Sequence, residues 1–155
     1  MTTTTSCRND SETIQNIDQV LNLYIDSLGQ DMLNSQISGS YQTISWNDVY
    51  GITDNAPVQF TSKTDADTMK YLEYVAGARR ILIDSADENA KIYQSKIELT
   101  FTKKITDSTT STFSEEMIIN YVSKPEMFQI QKIWYNNADV FTKTDGQPNI
   151  VKITK

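Results

Sequence analysis

The chain has 155 residues, a length that suits one domain with one hydrophobic core. Its 20 acidic and 14 basic residues give a formal net charge of −6, which disfavours non-specific binding to nucleic acid or to a membrane surface. The sequence has no histidine, which excludes histidine-based triads and the commonest zinc ligand, and its single cysteine excludes an intramolecular disulfide. A catalytic site would have to use Asp, Glu, Tyr, Lys or Arg.

The N-terminal residues 1–9 are polar and rich in threonine, so we expect them to form a disordered tail. They lack the apolar segment of a secretory signal, and no apolar run approaches the roughly 20 residues that span a bilayer. We therefore expect a cytoplasmic protein. Cys7 lies in this tail without an electropositive setting, which favours an unreactive, exposed thiol.

Apolar residues at a spacing of three to four predict a first helix over residues 11–28. Asp10 or Ser11 would cap this helix, and Gly29 would end it. Its apolar positions are Ile14, Ile17, Val20, Leu21, Tyr24, Ile25 and Leu28. A short second helix is predicted within residues 30–38.

A third helix is predicted to begin at Thr64, because Thr64 and Asp67 resemble a capping box with Asp in place of Glu. Arg79 and Arg80 lie near its end, where cations suit the helix dipole. Its apolar stripe consists of Met69, Leu72, Val75 and Ala76.

Elsewhere, apolar and polar residues alternate as is typical of strands. Strands are predicted at residues 41–46, 81–83, 91–103, 113–122 and 127–135. The strand 91–103 has one apolar face made of Tyr93, Ile97, Leu99 and Phe101, with Ser95 among them. The last segment, 142–155, is either a C-terminal tail or an extra edge strand.

Helices precede strands and do not alternate with them, which predicts an α+β fold for a single domain at residues 10–141. The N-terminal helices would pack on a strongly curved antiparallel or mixed sheet and enclose a cone-shaped pocket. The candidate pocket residues are Trp46, Tyr74, Phe101, Phe128 and Trp134. The same aromatic side chains could instead fill the cone or form a dimer face.

Three stretches, 21–28, 43–51 and 127–135, resemble in order and spacing the nuclear transport factor 2-like superfamily, which includes ketosteroid isomerases and SnoaL-like polyketide cyclases. They resemble the end of that family's first helix, its first strand with the following loop, and its last strand. The resemblance covers roughly residues 11–141. It implies a cystatin-like half-barrel, no metal or organic cofactor, and a homodimer formed through the sheet.

In the ketosteroid isomerases, a tyrosine on the first helix donates a hydrogen bond to the substrate oxygen, and an aspartate after the first strand moves a proton. The matching positions here are Tyr24 and Asp48. The family's second acid would fall at Ile118 or Asn120; neither is an acid, but the Asn120 amide can donate a hydrogen bond. The resemblance implies a cofactor-independent isomerase or cyclase for a small apolar carbonyl compound, with Tyr24, Asp48 and Asn120 as catalytic candidates.

Each candidate also has a structural interpretation. Tyr24 can be a core tyrosine, and Asp48 can belong to a surface Asn-Asp turn. The acidic run 84–88 lacks the spacing and central glycine of a calcium loop, which favours a solvated hairpin. The sequence therefore also supports a non-catalytic ligand-binding or dimerising module and, third, a structural protein with a filled core.

Overall fold

In the computed structural model, which describes residues 14–155, buried and exposed side chains alternate along most of the chain. This period of two residues is that of β-strands that bury one face. The strands are β1 (Asn16–Asp18), β2 (Leu21–Ser27), β3 (Gln30–Asp31), β4 (Tyr41–Asp48), β5 (Thr61–Thr64), β6 (Lys70–Tyr74), β7 (Ile81–Asp84), β8 (Lys91–Thr106), β9 (Thr109–Lys124), β10 (Met127–Tyr135), β11 (Ala138–Thr142) and β12 (Asn149–Thr154). Residues 14–155 contain no helix, and therefore none that is long and apolar enough to cross a membrane.

The larger sheet has seven strands and is built around the three longest ones. β8, β9 and β10 pair antiparallel in this order. β4 and β7 pair with different parts of β8, along the edge that does not contact β9. β1 and β11 pair with different parts of β10, also along the edge away from β9.

The smaller sheet has five strands in the order β12-β2-β6-β5, with β3 also paired with β2. β12 runs parallel to β2 and pairs with it from Asn149–Leu21 to Thr154–Asp26. The two strands come from opposite ends of the described chain, so this sheet depends on a contact between residues far apart in sequence.

The two sheets face each other across one core. Trp46 of β4 and Tyr74 of β6 belong to different sheets, and their ring centroids lie 5.5 Å apart. The largest fully buried side chains are Tyr74, Tyr121, Phe101, Leu21, Leu23, Ile25, Ile97, Leu99, Met117, Ile119, Ile130 and Ile133. Each such side chain contributes about 1.5–3 kcal/mol through burial, so the facing sheets account for most of the fold's stability.

The predicted α+β fold is wrong, and so is the helix over residues 11–28 as far as the structure describes it. In β2, Leu21, Leu23 and Ile25 are buried at a period of two, and the residues between them point outward. Leu21 and Ile25 fit either interpretation, because residues four apart share a face in both a helix and a strand. The helices that would have covered a cone-shaped pocket are therefore absent from residues 14–155.

Gly29 ends an element, as predicted, but the element is a strand. Leu28 and Gly29 both have left-handed backbone angles, with φ of 52° and 82°, and connect β2 to β3. Two successive residues of this kind are typical of a tight hairpin turn. The short helix predicted at 30–38 is also wrong, since that segment contains β3 and turns.

The third predicted helix, from Thr64, is replaced by a hairpin of β5 and β6. Asp65, which looked like a residue of a first helical turn, accepts hydrogen bonds through Oδ1 from the backbone N–H groups of Asp67 and Met69, both at 2.9 Å. Such side-chain-to-backbone bonds compete with a helix and stabilise a turn. In β6, alternation buries Leu72 at 2% exposure.

The strands predicted at 41–46, 81–83, 91–103, 113–122 and 127–135 are confirmed, because each lies within one observed strand. The predicted face of β8 is also confirmed: Ser95, Ile97, Leu99 and Phe101 are buried, and Tyr93 is partly buried and packs against the core. The tail predicted at residues 1–9, with Cys7, lies outside the described residues.

Candidate functional site

Tyr24 lies on the outer face of the smaller sheet. Its ring stacks on that of Tyr71 in β6, with centroids 5.2 Å apart and an angle of 28° between the planes. The ammonium group of Lys152, on the neighbouring strand β12, lies 5.6 Å from the Tyr24 ring centroid. This outward position follows from the alternation in β2, which directs Leu23 and Ile25 into the core.

Tyr24 borders a cleft with a volume of about 330 Å³. Its floor comes from β2 and β12, and its walls come from β3 and the turn between β5 and β6. The lining residues are Tyr24, Ile25, Asp26, Asp31, Asp65, Asp67, Met69, Lys70, Lys152 and Thr154. This volume is at the lower end of the range for small-molecule sites.

The turn wall is fastened to the floor by a hydrogen bond. The Tyr24 hydroxyl donates to Asp65 Oδ2 at 3.0 Å, while Asp65 Oδ1 accepts the two backbone N–H groups of its own turn. The Asp65 carboxylate therefore determines both the shape of the turn and its position over Tyr24.

The opposite wall is held by Asp31, which is buried. Its Oδ1 accepts a hydrogen bond from the Leu33 N–H at 3.1 Å, and its Oδ2 accepts one from the Lys70 N–H at 2.8 Å. On the floor, Asp26 Oδ1 accepts the Thr154 hydroxyl at 3.0 Å. These bonds tie β3, β6, β2 and β12 together around the cleft.

Three charged groups at the cleft have no such structural role. Within residues 14–155, the Asp67 carboxylate and the ammonium groups of Lys70 and Lys152 form neither a hydrogen bond nor an ion pair. A carboxylate accepts hydrogen bonds and an ammonium group donates three. The cleft therefore offers both acceptors and donors to a ligand.

Tyr24 and Asp65 keep fixed protonation states near neutral pH. Burial, the hydrogen bond to Asp65 and the negative charge of Asp65 raise the pKa of Tyr24 to about 12. Desolvation acts to raise the pKa of Asp65, but hydrogen bonds from Met69, Tyr24 and Asp67 outweigh it and lower that pKa. Tyr24 thus remains a hydrogen-bond donor and Asp65 remains a carboxylate.

The structure does not bring Tyr24, Asp48 and Asn120 together. Asp48 is buried at the end of β4, where Oδ1 accepts the Tyr50 N–H at 3.0 Å and Oδ2 accepts the Arg79 N–H at 2.6 Å. Asn120 lies in β9 of the other sheet, and its Oδ1 accepts a hydrogen bond from the Gln94 side chain at 2.9 Å. Neither Asp48 nor Asn120 lines the cleft at Tyr24.

The predicted pocket aromatics divide between core and surface. Trp46, Tyr74, Phe101 and Phe128 are buried in the shared core and none of them lines the cleft. Trp134 is half-buried in β10, with the Lys132 ammonium group 5.6 Å from its ring. They therefore do not form one pocket around Tyr24.

Sequence reasoning identified Tyr24 but missed the aspartates and lysines around it. The helix predicted from Thr64 would place Asp65 and Asp67 in its first turn, and Lys152 falls in the segment 142–155, which is predicted to be a tail or an edge strand. The spacing of Asp65 and Asp67 before a strand would also have suited a turn rich in side-chain caps. The approach of Lys152 to Tyr24 depends on the β2–β12 pairing, for which we find no local signal.

Four aspartates line the cleft, and carboxylates are common metal ligands. In the part of the chain that is described, no group of three or more Asp, Glu or Cys side chains is placed to hold a metal ion. The acidic run 84–88 forms a turn in which Asp84 accepts the Ala86 N–H and Asp87 accepts the Asn89 N–H, each at 2.9 Å.

Comparison of the chain with protein-family models, with curated proteins and with solved structures finds no match.

Proposed function

We propose that this protein is a non-catalytic binding module whose cleft holds a small, neutral, hydroxyl-rich molecule such as a monosaccharide or disaccharide. The observation that carries the proposal is the mixed lining of the cleft, in which carboxylates and ammonium groups surround Tyr24. The proposal retains the binding hypothesis from the sequence but replaces the apolar ligand by a polar one.

The lining presents charges of both signs, four carboxylates and two ammonium groups. An anion would meet the carboxylates of Asp26, Asp31, Asp65 and Asp67, and a cation would meet the ammonium groups of Lys70 and Lys152. A hydroxyl group both donates and accepts, so a polyol can bond to Asp67 and Lys152 at once. Hydrogen bonds to charged partners are the stronger kind, which suits recognition of an uncharged molecule.

The protonation states of Tyr24 and Asp65 favour ligand binding over proton transfer by these two groups. A general acid or base works best with a pKa near the working pH. The pKa of Tyr24 is raised to about 12, and that of Asp65 is lowered from 3.8. The isomerase hypothesis remains a prediction from resemblance, and the separation of Tyr24 from Asp48 does not support it.

A ligand titration tests this proposal. The chain is titrated with neutral saccharides, with spermidine and with inorganic phosphate, and binding is followed by amide chemical shifts and calorimetry. We expect saturable saccharide binding with shifts around Tyr24 and Lys152. Binding of spermidine or phosphate alone would contradict the ligand class.

Two substitutions locate the site. Asp67→Asn removes a carboxylate that supports no other side chain, so the stability of the fold should not change. We expect saccharide binding to weaken by about tenfold, which is the effect of losing one hydrogen bond to a charged group. Asp54→Asn makes the same change in an exposed loop and is the matched control. Equal affinities for both variants would show that the ligand binds elsewhere.

A further inference from the structure

A second group of reactive side chains lies where the chain passes from the larger sheet to the smaller one. Lys143 directly follows β11, Asn149 is the first residue of β12, and Asp18 ends β1. The Lys143 side chain is 3% exposed and Asn149 is 2% exposed. Long charged side chains are almost never buried to this degree without partners, so several contacts should hold the Lys143 ammonium group in place.

The Lys143 ammonium group makes three hydrogen bonds. It donates to Asp18 Oδ2 and to the Gln147 carbonyl, both at 2.6 Å, and to Asn149 Oδ1 at 3.0 Å. The Asn149 amide nitrogen donates to Asp18 Oδ1 at 2.8 Å and to the Val20 carbonyl at 2.9 Å. One carboxylate thus bridges the lysine nitrogen and the asparagine nitrogen.

These three groups are the components of an amide exchange. A lysine amine is a nucleophile, a carboxamide carbon is an electrophile, and a carboxylate between them can carry a proton from one nitrogen to the other. A C=O bond is about 1.23 Å long, so the 3.0 Å contact places Asn149 Cγ within about 4.2 Å of Lys143 Nζ. A small side-chain movement brings the two atoms to the roughly 3–3.5 Å of a near-attack geometry.

We propose that Lys143 and Asn149 form an intramolecular isopeptide bond, with Asp18 as the proton carrier. Asp18 takes a proton from the Lys143 ammonium group, and the free amine attacks Asn149 Cγ. The tetrahedral intermediate collapses as Asp18 returns a proton to Nδ2 and the Nζ nitrogen loses its second proton to the leaving group. A Cγ–Nζ bond forms, the Cγ–Nδ2 bond breaks and the nitrogen leaves as an ammonium ion that carries both protons lost by Lys143. The neutral mass of the chain falls by one ammonia molecule, and no oxidant or cofactor is needed.

The burial of these groups suits this reaction. Lys143 and Asn149 are shielded from water, which would otherwise compete for the carboxamide carbon. The Asp18 side chain is 47% exposed, so the ammonia has a route to solvent on that side. The product would tie the end of β11 to the start of β12 and so join the two sheets by a covalent bond.

Mass spectrometry of the folded, full-length chain tests the proposal. We expect an intact mass below that of the sequence by one ammonia molecule. Trypsin does not cleave after an acylated lysine, so residues 133–152 should appear as one peptide lacking ammonia. In the absence of the bond, the same segment gives two peptides, 133–143 and 144–152.

Three variants provide the controls. Lys143→Arg keeps the positive charge but is a poor nucleophile, and Asn149→Asp removes the amide leaving group while keeping the shape; both should retain their full masses. Asp18→Asn keeps both reacting groups and should lose the bond or form it far more slowly. Circular dichroism establishes that each variant is folded.

Two outcomes would overturn the proposal. One is a wild-type chain that keeps its full mass and is cleaved after Lys143 even after prolonged incubation in the folded state; the contacts would then be a buried ion pair. The other is loss of ammonia with cleavage after Lys143 retained, which indicates cyclisation of an asparagine.

Discussion

The Tyr24 hydroxyl donates a hydrogen bond to Asp65 Oδ2 at 3.0 Å and thereby links β2 to the turn between β5 and β6. This bond connects two residues of the proposed binding cleft. It also has a direct electrostatic consequence, because a hydrogen bond to a carboxylate stabilises its charged form.

Replacing Tyr24 should therefore raise the pKa of Asp65. Tyr24→Phe keeps the ring that stacks on Tyr71 but removes the donor, so the pKa of Asp65 should move up from its lowered position. A pH titration of side-chain carboxyl carbons by NMR measures this change. Tyr50→Phe, which removes a hydroxyl bonded to the Gln94 amide, is the control and should leave Asp65 unchanged. A pKa of Asp65 that is the same in Tyr24→Phe as in the wild type would disprove the contact in solution.

The buried Glu115 should be important for stability. It is 8% exposed and accepts hydrogen bonds from the Tyr135 hydroxyl at 2.6 Å and the Asn136 amide at 2.9 Å, and it pairs with Lys155. Glu115→Ala leaves these donors without their acceptor, so we expect a loss of about 3 kcal/mol in urea unfolding.

The control for Glu115 is its neighbour Glu116. The Glu116 side chain points to the other face of β9 and is 41% exposed. Its Oε2 lies 3.9 Å from Lys96 Nζ. Exposed pairs contribute about 0–1 kcal/mol, so Glu116→Ala should have a small effect. Similar losses for the two variants would be inconsistent with an interior Glu115.

Alkaline pH should destabilise the fold through Tyr41. Burial, with a smaller contribution from the negative charge of Glu115, raises the pKa of Tyr41 from 10.0 to about 12. The unfolded chain loses this proton first, so the stabilisation is complete below pH 10 and is lost as the pH rises towards about 12. Urea midpoints measured between neutral and alkaline pH should fall less steeply for Tyr41→Phe than for the wild type. Parallel curves would mean that Tyr41 titrates normally in the folded state.

Two leucines in one segment distinguish the strand from the helix that the sequence predicted. Leu23 is fully buried in β2, whereas Leu28 is 97% exposed in the turn that follows. Leu23→Ala should therefore cost about 2–5 kcal/mol, and Leu28→Ala should stay within about 0.5 kcal/mol of the wild type. A helix over residues 11–28 would place Leu28 on its apolar stripe and Leu23 off it. A larger loss for Leu28 than for Leu23 would restore that prediction.

The sequence predicted the second half of the fold better than the first half for a physical reason. β8 and β9 are 16 residues each and pair with each other, so their alternation is long and their partner is close in sequence. β2 has seven residues, and its parallel partner β12 lies at the other end of the described chain. Over so short a segment, Leu21 and Ile25 satisfy the helical and the extended period equally. Pairing with the distant strand β12 determines that the segment is a strand.

The candidate site was likewise hard to predict where it depends on pairing between strands that are far apart in sequence. Tyr24 was identified through a resemblance, and it does line a cleft, but its neighbours Asp65 and Lys152 come from elements that pair with β2 from either side. Asp48 and Asn120 were proposed for the same site, although they belong to strands of the other sheet. The spacing of residues along the chain did not indicate in which sheet each strand would lie.

We expect the parallel pairing of β2 with β12 to form late in folding. Closing so long a loop is entropically costly, and folds rich in such contacts form slowly. The floor of the cleft consists of these two strands, so a partly folded chain that has assembled the hairpins of the larger sheet has no cleft yet. Ligand binding would then report completion of the last long-range contact, and a ligand would stabilise the finished fold over every intermediate that precedes it.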